Sequence, residues 1–401
     1  MRGKDEKFYN AEKISDNVWW VGAVDWNVRN FHGYLTSRGT TYNAFLIIDE
    51  KITLIDTVKS GFFAEMMERI STVIDPEKID YIISNHAEPD HSGVLLEAIS
   101  AIKPEKVFAS VMGAKTLKAY YGLDVEVASQ PVSLGQGSLS FVETRMLHWP
   151  DSMISFYDRD GVLFSQDAFG QHLAGSKLWA DEYDPSILEH EMSKYYANIL
   201  NAQSAKVLAL LDSLPALNLP VKVIAPDHGP LFRKDFEKVF SSYRRYAEQK
   251  PQKRAVVVYC TMWHATEKLA RAFADGVRYA GVEVELIDLA VSERSAVMTA
   301  VANSGLIAFG APTMNNQLFP AMADALTYVK GLKPVNKIGF AFGSCGWSGE
   351  GAKQITAELE AMKVDQPIPF IQSKYNPTEE ELNKAFAAGE TLAEKLKSII
   401  G

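Results

Sequence analysis

Between Asn85 and Gly93 the chain reads Asn85-His86-Ala87-Glu88-Pro89-Asp90-His91-Ser92-Gly93, with four metal-ligating side chains in six residues. Directly before it, Ile79-Asp80-Tyr81-Ile82-Ile83 reads as a short buried strand. The ligands therefore begin where a strand ends and a loop opens, the place where α/β folds carry chemistry. Pro89, inside the cluster, argues against one face of a helix. A polar loop with two chance histidines is the plainer reading, but partners in matching settings stand further on. His148 comes after the strand-like Leu139-Ser140-Phe141-Val142-Glu143, Asp167 after Gly161-Val162-Leu163-Phe164-Ser165, and His228 after Val221-Lys222-Val223-Ile224-Ala225. Strand ends can bring all seven to one rim of a sheet structure. Seven ligands are enough for two metal ions sharing a carboxylate.

The order His-x-Glu-x-Asp-His, then His, Asp and His, resembles the metallo-β-lactamase fold. Hydrolases of that fold usually carry histidine where this chain has Glu88. The added carboxylate makes the site harder and more anionic, which suits iron over zinc. Together with His148-Trp149-Pro150-Asp151-Ser152 it makes the chain similar, over nearly its whole length, to the flavodiiron proteins. These are the A-type flavoproteins of the rubredoxin:oxygen oxidoreductase kind. The resemblance implies an αββα sandwich in which His86, Glu88 and His148 hold one iron. It implies Asp90, His91 and His228 on the other, with Asp167 bridging. Family members differ in how firmly the histidine at position 91 coordinates. His172, close behind Asp167, is either a pocket residue or a structural one. Family members also carry a tyrosine near the irons, so Tyr195 or Tyr196 belongs there, or both are core aromatics. Asp56, at the end of Thr53-Leu54-Ile55, either orients a ligand histidine or closes a turn. His32 and His190 have no ligand partner at suitable spacing.

At 401 residues the chain favours more than one domain. The polar, proline-containing Glu248-Gln249-Lys250-Pro251-Gln252-Lys253-Arg254 marks a boundary, giving a metal-binding domain over 1–250 and a second over 254–401. Beyond it strand and helix alternate strictly, the pattern of a doubly wound parallel sheet with its ligand at the strand C-termini. Three loops there make a flavodoxin-like FMN site, the overall class being α/β. The first is Thr261-Met262-Trp263-His264-Ala265-Thr266, whose hydroxyls and helix N-terminus suit a phosphate. Flavodoxins usually have a glycine in this loop; here, as in flavodiiron proteins, it is lacking. Pro312-Thr313 with Asn315-Asn316, and Ser344-Cys345-Gly346-Trp347-Ser348, border the flavin ring, Trp347 offering a stacking face.

The net charge of -9 argues against nucleic acid or an anionic membrane as partner, and no apolar run reaches transmembrane length. Two cysteines, Cys260 and Cys345, fit a reducing cytoplasm and exclude a four-cysteine metal site in the chain. The resemblance implies a reductase of dioxygen to water, of nitric oxide to nitrous oxide, or of both. Electrons would pass through FMN from a separate rubredoxin, with a reduced deazaflavin as the second choice of donor. It further implies a head-to-tail homodimer, alone or paired into a dimer of dimers, with each flavin facing the partner's irons. The rival readings are a metallo-β-lactamase-type hydrolase with an accessory flavodoxin domain, and a pure electron carrier.

Overall fold

The structure, a computed structural model, describes residues 8–401. These fall into two compact units. The first runs up to Phe31 and takes in Thr36–Tyr195 and Ala205–Arg244. The second comprises His32–Leu35, Tyr196–Ser204 and Arg245–Gly401, so it draws two short segments from ahead of the polar stretch 248–254.

In the first unit a seven-stranded sheet runs in the order Glu12–Lys13, Val18–Trp20, Phe45–Ile47, Thr53–Ile55, Tyr81–Ser84, Lys106–Ala109 and Glu126–Val127. Its first four strands pair antiparallel and the rest join in parallel. A five-stranded sheet follows: Val132–Ser133, Ser138–Glu143, Met153–Tyr157, Val162–Gln166 and Val223–Pro226, the last pair parallel. Side-chain alternation sets the layers. Phe45, Ile55 and Ile83 stand in register and pack with Leu139, Tyr157 and Phe164 of the other sheet. Their chain neighbours Leu46, Leu54 and Ile82 face the other way, against Met66 and Ile70 of the helix Phe63–Val73 and Leu95 and Ala98 of Leu95–Ile102. Strands buried on both faces read as continuous apolar runs. Each such side chain contributes roughly 1.5–3 kcal/mol by leaving water.

The second unit has five parallel strands in the order Glu283–Asp288, Arg254–Tyr259, Leu306–Met314, Ile338–Cys345 and Ile371–Lys374. The chain begins in the middle, steps to one edge and then crosses back, leaving a topological switch point between Arg254–Tyr259 and Leu306–Met314. Val257, Phe340 and Phe342 face Leu269 and Phe273 of helix Ala265–Tyr279 and Leu392 of helix Glu379–Ile400. Val256, Ile307 and Phe309 face Val297, Leu326 and Ile355 of three helices on the other side. Gly276 and Gly389 let two helices meet backbone to backbone: a Cβ on either would lie 2.0 or 2.1 Å from Phe386 O or Phe273 O. No helix among the described residues is long and apolar enough to cross a membrane.

Candidate metal centre

The ligand loop leaves the strand Tyr81–Ser84 at its C-terminal end. The four ligands do not share one helix face, although Pro89 opens a one-turn helix, Pro89–Ser92. Proline is welcome at the first helical position, where its missing N–H would have had no partner. Asp90 and His91 sit in that turn, while His86 and Glu88 precede it. Gly93 is needed beneath them, since a Cβ there would fall 2.2 Å from Pro89 O. Asp56 serves the loop backbone and not a histidine ring. It accepts from the N–H of Asn85 at 2.6 Å and from Asn85 Nδ2 at 2.9 Å. Burial pushes its carboxyl up to about 6, against the pull of His91.

All seven expected ligands converge, in two clusters. In the first, His148 Nε2 lies 3.1 Å from Glu88 Oε2 and 2.9 Å from Asp167 Oδ2. His86 Nε2 lies 3.4 Å and 3.3 Å from the same two oxygens. In the second, His228 Nε2 and His91 Nε2 lie 3.1 Å and 3.3 Å from Asp90 Oδ2. The other oxygen of Asp167, Oδ1, faces this second cluster, 3.4 Å from His91 Nε2 and 3.6 Å from His228 Nε2. One carboxylate thus turns one oxygen to each group.

The donor set fits a pair of metal ions. Atoms bound to one ion at about 2.1 Å stand roughly 3–4 Å from each other, and these do. The buried His86 Nε2, His91 Nε2, both oxygens of Asp90 and Asp167 Oδ1 have no hydrogen-bond partner. Buried polar atoms are rarely left so unless something else engages them. Burial works to raise the Asp167 carboxyl, but His148, His86 and His91 hold it well below the usual range. Four nitrogens with three carboxylates suit iron.

Outer partners set which ring nitrogen points inward. His86 Nδ1 bonds Asp151 Oδ2 at 2.9 Å, and the same oxygen accepts from the N–H of Ala87 at 2.6 Å. His228 Nδ1 donates to Thr41 O at 2.7 Å. Behind His91 Nδ1 stands Asp227, at 3.6 Å. Asp151 and Asp227 escaped the sequence reading. The available signal was adjacency: Asp227 directly precedes His228, and Asp151 lies three residues past His148.

His172 and Tyr195 sit beside the second cluster. His172 Nδ1 bonds Thr40 Oγ1 at 2.8 Å, and its ring centre is 4.7 Å from that of His228. Burial, then the neighbouring His228, push its pKa well down, so the ring is neutral. Tyr195 packs 5.0 Å from His172; burial and the Asp167 charge hold its hydroxyl well above the ordinary tyrosine value. Tyr196 instead bonds Ser204, within the second unit. The helix Pro185–Tyr195 changes to a π-helix at Tyr196, and this separates the two tyrosines. Phe31 stacks near both His172 and His228. His32 and His190 are exposed and belong to neither cluster.

At the switch point of the second unit lies a cavity of about 680 Å³. It is lined by Met262, Trp263 and Ala265, by Pro312, Thr313, Asn315 and Asn316, and by Ser344, Cys345, Gly346, Trp347 and Ser348. Lys268, Tyr375 and Asn376, which sequence reasoning missed, complete the wall. Lys268 comes from helix Ala265–Tyr279, and Tyr375 and Asn376 follow the strand Ile371–Lys374, which is short and weakly apolar. Thr266 is buried beneath the loop, its hydroxyl bonded to that of Ser344 at 2.8 Å. His264 turns to Glu267 at 2.7 Å, outside the lining, and Thr261 also stands outside it. Thr261 Oγ1 is buried without a partner, and no side chain caps the helix Ala265–Tyr279. Free amides and an unused hydroxyl suit a phosphate. Asn315 and Asn316, both at positive φ, close the turn between Leu306–Met314 and Gln317–Leu318, and Asn316 accepts from Ser348 Oγ.

Comparison with known proteins finds two families along the chain. Residues 40–229 match the ODP family beta lactamase description, and residues 257–389 match flavodoxin. The chain is 42% identical to rubredoxin-oxygen oxidoreductase of Megalodesulfovibrio gigas, over 97% of this chain and 98% of that one. It is 39% identical to a nitric oxide reductase of Moorella thermoacetica, over 96% and 98%. The crystal structure of the flavodiiron protein from Giardia intestinalis superposes with a TM-score of 0.94 at 36% identity, covering 98% of each chain.

Proposed function

This chain belongs to the flavodiiron proteins, and on that premise we propose that His86, Glu88 and His148 hold one iron, Asp90, His91 and His228 the other, and Asp167 both. It is an oxidoreductase that reduces dioxygen, nitric oxide or both, and its cofactors are a non-haem diiron pair and FMN. The fold is the expected one, a metallo-β-lactamase-like domain followed by a flavodoxin domain. The hydrolase alternative is not favoured, because the relatives matched over nearly the full length include a rubredoxin-oxygen oxidoreductase and a nitric oxide reductase. When bound, the iron pair and the flavin supply up to four electrons, enough for dioxygen to two waters or, with two, for a pair of nitric oxide molecules to nitrous oxide.

The chain's own residues have separate tasks. Asp167 ties the two clusters at a fixed spacing through its two oxygens. Glu88 adds negative charge where the hydrolases keep a neutral ring. Asp151 and Thr41 hold the rings of His86 and His228 so that Nε2 points inward. We assign Tyr195 and His172 to the gas pocket. The Tyr195 hydroxyl is buried, lacks a hydrogen-bond partner and keeps its proton, so it can donate at the site. Tyr195→Phe should lower turnover with metal content intact. The free amides from Ala265 onward, with the unpartnered hydroxyl of Thr261 beside them, would hold the FMN phosphate, Thr266 would brace the loop from below, and Trp347, Asn315 and Gly346 would border the ring.

The observation carrying the reading is Asp167, one oxygen to each cluster. Asp167→Ala should abolish gas consumption and leave flavin reduction intact; gas consumption at the wild-type rate would overturn it.

A head-to-tail homodimer is part of the same reading. The metal centre lies wholly in the first unit and the cavity wholly in the second, and exposed Trp263, Trp347 and Met262 rim the cavity as a contact surface would. Light scattering, and mixed dimers of an FMN-dead and an iron-dead subunit, test it; no activity difference from unmixed samples counts against it. A separate rubredoxin is the proposed donor, as the name of the Megalodesulfovibrio relative suggests. Two free thiols support a reducing cytoplasm.

A further inference from the structure

We propose that Asp227 fixes His91 as an iron ligand in this chain, a positioning role that rests on the diiron reading above. His86 and His228 each have their Nδ1 held, by Asp151 and by Thr41 O, so their Nε2 atoms are committed to the metal side. His91 lacks such a bond: neither of its ring nitrogens has a hydrogen-bond partner. The group standing where the holder should be is Asp227, its Oδ2 3.6 Å from His91 Nδ1.

Asp227 has no other occupation for its side chain. It is fully buried, and neither carboxylate oxygen has a hydrogen-bond partner. Its backbone is clamped from both sides, the N–H donating to Gln166 O at 3.0 Å and the carbonyl accepting from Asn43 N–H at 2.7 Å. A buried carboxylate without a donor is among the least tolerable arrangements in a protein interior. Several donors of the site are already engaged. Asn85 serves Asp56, and the outer nitrogens of His86 and His228 serve Asp151 and Thr41. The Nδ1 of His91, itself without a partner, faces Asp227 Oδ2, and closing the gap by about 0.8 Å gives an ordinary hydrogen bond. That bond fixes the tautomer with Nε2 facing Asp90 and Asp167, and it opposes rotation of the ring out of the cluster. In this chain, therefore, His91 is a standing ligand of the second iron.

The test uses the full-length protein loaded with iron. Asp227→Ala should lose one of its two irons to a chelator roughly 10- to 100-fold faster than the wild type. One of two Mössbauer doublets should change while the other stays. Asp227→Asn, isosteric and still able to accept at its carbonyl oxygen, should be milder, and it carries the test if the alanine variant does not fold. FMN content reports folding. The double variant His91→Ala/Asp227→Ala should release iron no faster than His91→Ala alone, since one residue acts through the other. Unchanged iron loss and spectra in Asp227→Ala, or additive effects in the double variant, overturn the proposal. A wild type that binds no iron pair would instead overturn the diiron reading.

Discussion

The metal centre and the flavin cavity are built on opposite plans. Of the proposed metal ligands only His148 is more than marginally exposed, and every contact that defines the centre is made by a side chain. At the cavity, Trp263 and Trp347 are 87% and 85% exposed, and the wall is built from open loops and a helix N-terminus that no side chain caps. The difference teaches where each depends on sequence identity. A side-chain site fails when one residue changes, while a backbone cradle tolerates change until the loops themselves move.

Four experiments sharpen or break this contrast. The largest effect is expected for Asp167→Ala, which removes the shared carboxylate from a closed cluster of buried charges. Gas turnover should fall at least about 100-fold, beyond the roughly 10- to 100-fold typical of outer-sphere changes, with FMN stoichiometry unchanged by absorbance. If FMN were lost as well, the two sites would not be separable. Gly276→Val comes next, because a Cβ there would fall 2.0 Å from Phe386 O and within 3.0 Å of Phe386 C and Glu390 N, all backbone atoms. It should destabilise the second unit by about 1–3 kcal/mol. A lower thermal midpoint for flavin release with full iron content checks this.

A third effect is a pH slope. Burial pushes the Lys337 ammonium down to about 7, although its Nζ donates to Ala302 O and Ser304 O. The unfolded lysine binds its proton up to about 10.4, so between pH 7 and that value the unfolded state holds more protons. Stability from this group therefore rises with pH across that window, by about 1.4 kcal/mol per unit at most. Denaturant titrations of wild type and Lys337→Met should differ in slope there; equal slopes would show the lysine is charged in the fold. The smallest effect is expected at the open cavity. Trp347→Ala removes one stacking face, about 0.5–1.5 kcal/mol, a rise of up to about tenfold in the FMN dissociation constant. A loss as complete as that at Asp167 would erase the contrast.

The same contrast decides what could be read beforehand. All seven proposed ligands were legible because rare residue types fall in a tight spacing after apolar runs, and the structure gathers every one. The parallel sheet was legible from alternation. Less visible was anything set by through-space packing. Pro89 kept the four ligands off one helix face as expected, but the single turn that starts at it, where proline suits the first position, was not foreseen. Tyr195 and Tyr196 could not be told apart until the π-helix turned them to different units. Asp151 and Asp227 act on histidines 65 and 136 positions away (His86 and His91), a distance no local pattern encodes. Tyr375 and Asn376 reach the cavity from beyond a short strand that carries no sign of a ligand, and Lys268 from a turn past the expected phosphate loop.

The central claim, a diiron gas reductase fed through FMN, is tested most directly by anaerobic stopped-flow mixing. The fully reduced protein is mixed with dioxygen and with nitric oxide, and iron, zinc and FMN are quantified on the same sample. The account expects a pair of irons and one FMN per chain, with fast consumption of at least one gas. Zinc in place of iron, with neither gas consumed, would contradict it and return the chain to the hydrolases.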